Sequence, residues 1–548
     1  MSNSINFSIS GQIVDLHKQK IFPGTVIVED GRIKEVREEK VSSSHYIMPG
    51  LIDAHIHIES SMLIPSEFAK LAVLHGTVAT VSDPHEIANV LGIDGIKYMI
   101  ANGKRVPFKF FFGASSCVPA TPFETAGFAF KQDELEELLA MDEIKYLSEM
   151  MNFPGVINRD AWEMEKIAIA KKHGKPVDGH APGVLGEAAR KYASAGITTD
   201  HECFTMEEAL DKIKAGMKIQ IREGSAAKNF EALIGLMENH ADKVLFCSDD
   251  KHPDDLVKGH INQLVVRTLN HGHDLIKVLR SAVLNPIQHY GLEVGTLQVG
   301  DPADMIVVDN PVDFNVLQTY INGALVADQG KSLIDSVFED QPNNFSATPI
   351  TTNDIRVIPL GNTLRVIEAY DGQLVTGVVF EKPFIHDNNV ISDPDRDILK
   401  LVVLNRYESG AKPAVAFIRN FNLKGGAIAS SVAHDSHNIV AVGTSDELIV
   451  QAINNVIAEK GGVTVVNSRV NNTLPLPVAG LMSTCDGYKV AHHYYKIDEE
   501  VHKMGSTLRA PFMTLSFMAL LVIPQLKLSD KGLFDGNTFS FTDVFAKG

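Results

Sequence analysis

The spacing of hydrophobic positions changes several times along the chain. From residue 5 to 46, short apolar runs of β type alternate with turns, and residues 25–36 predict a hairpin that turns at Asp30 and Gly31. Strand-and-turn patterning returns at residues 295–329. We therefore predict one small β-domain built from residues 1–48 and 295–340. Residues 341–346 read as a linker to a separate C-terminal α/β domain, residues 345–548.

The central region has a different rhythm. Eight short apolar runs alternate with stretches of helical spacing such as 159–173 and 206–215. Eight strand–helix units in about 250 residues predict an α/β fold with a TIM-like (β/α)8 barrel over residues 49–294. A doubly wound open sheet would also alternate, but it has fewer strands and usually a Gly-rich nucleotide loop, which the sequence lacks. The eight runs are 47–57, 76–83, 108–116, 146–151, 176–180, 197–201, 217–222 and 244–249.

Composition narrows the class of partner. The chain has 548 residues, 45% of them hydrophobic, and a formal net charge of −18, which disfavours nucleic acid and anionic membranes as partners. Residues 1–7 do not resemble a secretion signal, and the most apolar stretch, 512–524, is too short to span a bilayer and predicts buried core. Four dispersed cysteines without a CxxC pair predict free thiols and a cytoplasmic location.

Ligand-type side chains stand where the predicted barrel strands end. The carboxyl ends of barrel strands face the active site in this architecture. His55 and His57 are two apart on strand one, so both imidazoles lie on one face and can reach one metal ion. Imidazole and carboxylate groups are the ligands expected for Zn, Mn or Fe(II). The candidate metal ligands are His55, His57, Glu149, His180, His201 and Asp249.

Simpler interpretations exist for each of these residues taken alone. A single strand-end histidine is more often a structural hydrogen-bonding group, and an HxH pair is weak evidence. Six ligand-type residues at five strand ends favour a metal site, and they exceed what one catalytic zinc needs, which favours two ions. Asp83 and Asp250 could instead cap the helices that follow them, and Cys117 could simply pack. Further polar residues on the same rim are Asp83, Glu86, Ser116, Arg222 and Asp250.

Several sequence blocks resemble a known family. Residues 49–57, with Asn285-Pro286 and residues 300–304, are similar to the amidohydrolase superfamily. Five blocks resemble adenine deaminases in particular, and a sixth resembles the C-terminal domain of that family. The resemblance covers nearly the whole chain and implies hydrolytic deamination of adenine to hypoxanthine and ammonia in purine salvage. The blocks are residues 55–61, 83–89, 115–119, 149–155, 221–227 and 431–438.

The resemblance also implies roles for the residues. The six candidate ligands would hold two divalent ions per chain, Mn or Fe(II) being favoured and Zn the alternative, and a homo-oligomer is expected. Asp249 would also carry a proton from the metal-activated hydroxide to the departing amine, and Asp83 or Glu86 would protonate or anchor the purine ring. Ser116, Arg222 and Asp250 would contact the base. His434, Asp435 and His437 could bind a further metal, close over the site or form a buried hydrogen-bond network.

Two other functions are possible for a barrel of this kind. Cyclic amidohydrolases of the hydantoinase and dihydroorotase type carry a carboxylated lysine on strand four, but here that strand has Glu149, with Lys145 only at its start. A non-catalytic scaffold on the same barrel should have lost ligands, whereas every expected position is filled. The sequence therefore favours a metal-dependent hydrolase acting on adenine, a small molecule.

Overall fold

The N-terminal part of the chain forms the first half of a sheet. A computed structural model describes residues 5–546. Residues 1–4, which begin the predicted β-domain and the N-terminal segment 1–7, and residues 547–548 lie outside the described residues. The predicted hairpin is confirmed: two strands pair antiparallel across Asp30 and Gly31, with Val26 opposite Val36. The strands are β1 (Phe7–Asp15), β2 (Lys20–Glu29), β3 (Arg32–Glu38) and β4 (Tyr46–Pro49).

The central region is a closed barrel. Each of the eight predicted runs contains a strand, and neighbouring strands pair in parallel in chain order. A bridge between Val177 and Ile197 joins the two arcs, and pairing of Asp249 with Ile56 closes the circle. The predicted (β/α)8 barrel is therefore confirmed. Its strands are β5 (Leu51–His57), β6 (Thr77–Ser82), β7 (Lys109–Ala114), β8 (Ile144–Met150), β9 (Val177–Gly179), β10 (Thr199–Asp200), β11 (Lys218–Arg222), β12 (Val244–Cys247) and β13 (Asp249–Asp250).

Two of the predicted runs are divided in the structure. The run 47–57 breaks at Gly50 into β4 of the N-terminal sheet and β5 of the barrel. A Cβ at Gly50 would lie 2.3 Å from the Val78 side chain, so only glycine allows this close crossing. The run 244–249 breaks at Ser248, and Asp249 then has a φ of 57°, which places its backbone in the left-handed region.

Helices surround the barrel. The helical spacing at 159–173 and 206–215 corresponds to the helices Ala161–Lys172 and Met206–Lys214, whose buried residues Ile167 and Ala209 face the core. A π-helical segment, Arg280–Leu284, lies between α13 and α14. The helices are α1 (Pro65–Ala72), α2 (His85–Leu91), α3 (Ile93–Gly103), α4 (Gln132–Ala140), α5 (Phe153–Asn158), α6 (Ala161–Lys172), α7 (Gly186–Ala195), α8 (Met206–Lys214), α9 (Phe230–Leu233), α10 (Leu236–Asn239), α11 (Pro253–Lys258), α12 (Ile261–Asn270), α13 (Leu275–Leu279) and α14 (Asn285–Tyr290).

After the barrel the chain returns to the N-terminal sheet. Strands β14 (Met305–Val308), β15 (Val316–Ile321), β16 (Ala324–Asp328) and β17 (Lys331–Ser332) complete an eight-stranded sheet of order β17-β16-β15-β14-β4-β1-β2-β3. Val307 lies opposite Ile47 where the two halves meet. The flanking β-domain is thus built from both ends of the barrel segment, and the division into residues 1–48 with 295–340, 49–294 and 345–548 remains our proposal.

The C-terminal region is rich in sheet. Its main sheet has eight strands, mostly antiparallel, in the order β19-β18-β23-β22-β25-β24-β26-β27, and α15 (Asp446–Ala458) packs on it through Ile449 and Ile453. The eight strands of this sheet are β18 (Leu364–Glu368), β19 (Gly377–Glu381), β22 (Leu399–Leu404), β23 (Ala414–Arg419), β24 (Ala427–Ser430), β25 (Ile439–Gly443), β26 (Gly462–Val466) and β27 (Asn471–Pro475). A separate two-stranded sheet is formed by β20 (Phe384–His386) and β21 (Asn389–Ile391).

The last segment contributes Phe517 and Leu520 to the cavity at the carboxyl ends of the barrel strands. It comprises α16 (Gly487–Lys503), α17 (Pro511–Phe517), β28 (Leu526–Ser529), β29 (Gly532–Asp535) and β30 (Ser540–Phe541). Nearly all of the apolar stretch 512–524 is buried, as predicted. Among the described helices none combines the length and apolar composition that a bilayer crossing requires.

Candidate active site

The barrel brings the six predicted metal ligands to one place. His55 and His57 end β5, Glu149 lies near the end of β8, and Asp249 begins β13. His180 and His201 directly follow β9 and β10. All six side chains are buried, with no more than 4% exposed. The carboxyl ends of five strands therefore supply one enclosed cluster of imidazoles and carboxylates.

Glu149 lies at the centre of this cluster. Its Oε1 is 3.2 Å from His57 Nε2, whereas its Oε2 is 2.7 Å from His180 Nδ1 and 3.1 Å from His201 Nε2. Burial raises the pKa of Glu149, but the positive charge of His180 and His201 holds the pKa well below its ordinary value. The carboxylate is thus ionised, and its two oxygens face two different sets of histidines.

Asp249 is held from two sides. Its Oδ1 lies 3.2 Å from His57 Nε2 and 3.5 Å from His55 Nε2, and its Oδ2 accepts a hydrogen bond from Arg222 Nη1 at 2.5 Å. Burial raises the pKa of Asp249, but Arg222 first and then the two histidines hold it well below its ordinary value. The carboxylate is therefore fixed and charged at neutral pH.

The cluster fits a divalent metal centre. Neither ring nitrogen of His55 has a hydrogen-bond partner within the described residues, although the side chain is fully buried. Donor atoms of His55, His57 and Asp249 lie within 4.8 Å of one another, as do those of a second set, His55, Glu149 and His201. Unpaired buried nitrogens are costly unless something binds them, and histidine with carboxylate is a donor set for Zn, Mn and Fe(II).

The charges of the cluster also indicate a cation site. Burial lowers the pKa of His180, but Glu202 and Glu149 raise it to about 9. The carboxylates therefore attract positive charge, which protons supply when no cation is bound. Metal binding would displace those protons, because histidine ligates in its neutral form.

The predicted carboxylates of the rim occupy different positions. Glu86 and Asp250 line the cavity beside the metal-ligand cluster. Asp250 Oδ1 accepts a hydrogen bond from Ser60 Oγ at 2.5 Å, and α11 has no side-chain cap, so the capping interpretation of Asp250 is wrong. Asp83 accepts from the backbone nitrogen of His85 at 3.1 Å, and its other oxygen lies 3.3 Å from His85 Nδ1.

Arg222 and Ser116 are already engaged by protein groups. Both terminal nitrogens of Arg222 donate to Glu202, and one also donates to Asp249, so this residue forms part of the cavity wall. The Ser116 hydroxyl donates to the main-chain oxygen of Glu149, and Ser116 is not among the residues that line the cavity. The structure thus places Ser116 behind Glu149 rather than in the pocket.

Sequence reasoning missed two residues of the cluster. His85 Nδ1 lies 3.6 Å from Glu149 Oε1, and Glu202 Oε1 lies 3.4 Å from His201 Nε2. Both are buried and both line the cavity. Each is a ligand-type residue directly beside a predicted site residue, and that adjacency is the signal that could have found them.

The C-terminal domain reaches into the site through the segment 434–437. His434 Nδ1 lies 2.5 Å from Glu86 Oε1, and His437 Nε2 contacts the other oxygen of Glu86. Asp435 Oδ1 lies 3.7 Å from His85 Nε2. These contacts are consistent with closure over the site. Donor atoms of His85, Cys117 and Asp435 also lie within 4.8 Å of one another, so the interpretation as a further metal site stays open.

Comparisons with known proteins agree with this architecture. The barrel and its buried ligand cluster define a metal-dependent hydrolase, and residues 46–326 match the description "Amidohydrolase family". Residues 373–540 match "Adenine deaminase C-terminal domain". The chain belongs to the adenine deaminase family of amidohydrolases.

Three relatives named adenine deaminase match almost end to end. The protein from Salinibacter ruber is 54% identical over 98% of this chain and 99% of its own length. The Sulfurovum protein is 56% identical over 97% and 98%, and that from Methanosarcina mazei is 51% identical over 98% and 99%. The similarity therefore extends over the flanking sheet, the barrel and the C-terminal domain together.

Proposed function

We propose that this chain hydrolyses adenine to hypoxanthine and ammonia. Relatives of that name match 97–98% of the chain at 51–56% identity. The single structural observation that carries the proposal is the intact cluster around Glu149, in which one buried carboxylate faces His57 on one side and His180 with His201 on the other. A scaffold with a decayed site would not retain it.

The Glu149 geometry supports two divalent ions per chain. The residues that would hold these ions are His55, His57, Glu149, His180, His201 and Asp249. Mn or Fe(II) is favoured, and Zn is the alternative. When bound, such ions supply a water of lowered pKa for attack on C6.

The residues of the chain orient the purine and move the protons. Asp249 takes a proton from the attacking water and gives it to the amino group, so that ammonia leaves as the C6–N bond breaks. Glu86 is favoured over Asp83 as the group that anchors the ring nitrogens, because Glu86 lines the cavity and Asp83 is not among the lining residues. Asp250, which also lines the cavity, is proposed as a further contact to the base.

The cyclic amidohydrolase alternative is not favoured. It needs a lysine that projects into the metal cluster from the fourth strand, but Glu149 occupies that position on β8. Lys145 lies at the opposite end of the same strand, where it lines a separate cavity with Asp142 and Glu143.

The test is production of hypoxanthine and ammonia from adenine by the full chain with added Mn(II), beside a chelated sample. Hydantoin and dihydroorotate serve as competing substrates, and metal content is measured on the same protein. We expect metal-dependent turnover of adenine alone and about two ions per chain. Metal-loaded protein that leaves adenine unchanged would refute the proposed substrate.

Location and assembly are further parts of the proposal. All four cysteines are free thiols, three of them buried, which supports a reducing, cytoplasmic environment. We also propose a homo-oligomer, which light scattering on the purified enzyme tests directly.

A further inference from the structure

Lys527 is a buried lysine without a carboxylate partner. It lies on β28 with no exposed surface, and its Nζ donates to two main-chain oxygens, Leu374 O at 2.6 Å and Phe517 O at 2.9 Å. Within residues 5–546 it forms no ion pair. Burial lowers its pKa to about 7. A buried amine that is not paired with an acid costs stability, so its presence calls for a reason beyond packing.

Both carbonyl groups belong to segments that roof the active-site cavity. The side chains of Leu374 and Phe517, together with Leu520, line the cavity that also contains Glu149 and Asp249. Leu374 precedes β19, whereas Phe517 is the last residue of α17. Lys527 therefore forms hydrogen bonds to two segments that are distant in the chain but adjacent above the site.

The roof differs chemically from the rest of the cavity. Apart from Met151, the floor and walls are imidazoles, carboxylates and Arg222, while the roof presents Leu374, Leu520 and the Phe517 ring. The Phe517 ring also packs against His434, with centroids 5.1 Å apart and an interplanar angle of 32°. A purine has flat apolar faces and a polar edge, so an apolar lid over polar walls matches it in chemical character. The free volume of the cavity is only about 20 Å³, so the lid must move outward before the ring can enter.

We propose that Lys527 is a positioning residue for the substrate: it fixes the main chain at Leu374 and Phe517 so that their side chains cover one face of the purine ring. This inference rests on the proposed function. Lys527 does not touch the substrate and acts only through the two carbonyl groups it binds.

The test variant is Lys527→Met, which keeps the length of the side chain and removes its donors. With adenine we expect KM to rise by about tenfold, with kcat within about threefold of the wild type, because a roof contact is lost equally from the ground state and the transition state. Metal content should stay at the wild-type level, since Lys527 touches no metal ligand. Lys527→Gln, which can still donate to a carbonyl, should recover part of the loss.

Lys400→Met is the matched control. Lys400 is another fully buried lysine of the C-terminal domain, but it donates to Ile355 O and to Asp446, away from the cavity. Its variant should melt at a lower temperature and keep the wild-type KM. A merely structural role for Lys527 would give the same pattern, and would overturn the inference.

A binding measurement separates this inference from the proposed function. Calorimetric titration with unsubstituted purine, which has no amino group to lose, should give a Kd about tenfold weaker for Lys527→Met than for the wild type. Equal affinities would overturn the roof assignment, even if adenine turnover is confirmed. An inactive wild type that binds purine more tightly than the variant would refute the reaction and uphold the roof. Should Lys527→Met fail to fold, Phe517→Leu tests the roof directly, and an unchanged purine Kd there would overturn it.

Discussion

Arg222 and Asp249 form a buried ion pair in which Nη1 lies 2.5 Å from Oδ2, leaving Oδ1 of the same carboxylate to face the histidines of β5. Arg222 also forms an ion pair with Glu202, which restricts rotation of its guanidinium group. This arrangement keeps Asp249 charged and limits its rotation. Oδ2 is thus occupied by Arg222, and Oδ1 is the oxygen that faces the ligand cluster.

Replacement of Asp249 by Asn should abolish turnover. The amide has nearly the same shape but cannot accept a proton, and general acid–base groups contribute ~10²–10⁴-fold to rate. We expect kcat for adenine to fall by at least ~10²-fold while the fold is retained, as judged by circular dichroism. The exposed Asp242→Asn variant is the control and should retain full activity. Near-normal kcat in Asp249→Asn would remove Asp249 from the mechanism.

The contact between Glu86 and His437 should be visible as an energetic coupling. Both groups are buried, and His437 belongs to the C-terminal domain while Glu86 belongs to the barrel. We expect Glu86→Gln and His437→Asn each to lower kcat/KM, and the double variant to lose much less than the sum, with a coupling of ~0.5–3 kcal/mol. Strictly additive losses would mean that His437 does not act through Glu86.

Asp53 should stabilise the closure of the barrel. Its Oδ1 accepts from the backbone nitrogen of Ser248 at 3.0 Å, and its Oδ2 lies 2.8 Å from His260 Nε2. These contacts hold the residue that precedes Asp249. Asp53→Asn leaves an amide where donors converge, so we expect a loss of ~1–3 kcal/mol in unfolding free energy, measured by denaturant titration. Ser248→Ala, which removes one donor, should cost less, and a larger loss there than in Asp53→Asn would contradict this account.

Most of the barrel could be predicted because its signals are local. Each strand run is marked by apolar residues and by a polar residue at its end, and parallel strands in a barrel must place those ends on one rim. His55, His57 and Glu149 needed nothing further. The break at Gly50 escaped prediction because it depends on Val78, a residue of the neighbouring strand that no local pattern names.

The contacts of the C-terminal domain with the site could not be predicted for the same reason. His434 and His437 are recognisable as a motif, but their contact with Glu86 depends on how the C-terminal domain lies on the barrel. The engagement of Arg222 by Glu202 is likewise a tertiary contact between neighbouring strands. The sequence identifies such residues as polar candidates for the site. Their contact partners depend on tertiary packing.

The stability of the protein should depend on pH through Lys527. Burial depresses its folded-state pKa from the ordinary 10.5 to about 7, so between these values the unfolded chain binds a proton that the folded chain lacks. Stability from this group therefore rises with pH across that window, by up to about 1.4 kcal/mol per pH unit, and the group is a constant cost below it. Lys527→Met lacks this contribution. In denaturant titrations of metal-replete enzyme, the unfolding free energy of the wild type should therefore increase relative to that of the variant as pH rises from 7 to 9.5. The exposed Lys496→Met variant is the control, and its unfolding free energy should change with pH as that of the wild type does. If the difference in unfolding free energy between the wild type and Lys527→Met does not change with pH, Lys527 keeps its proton when buried.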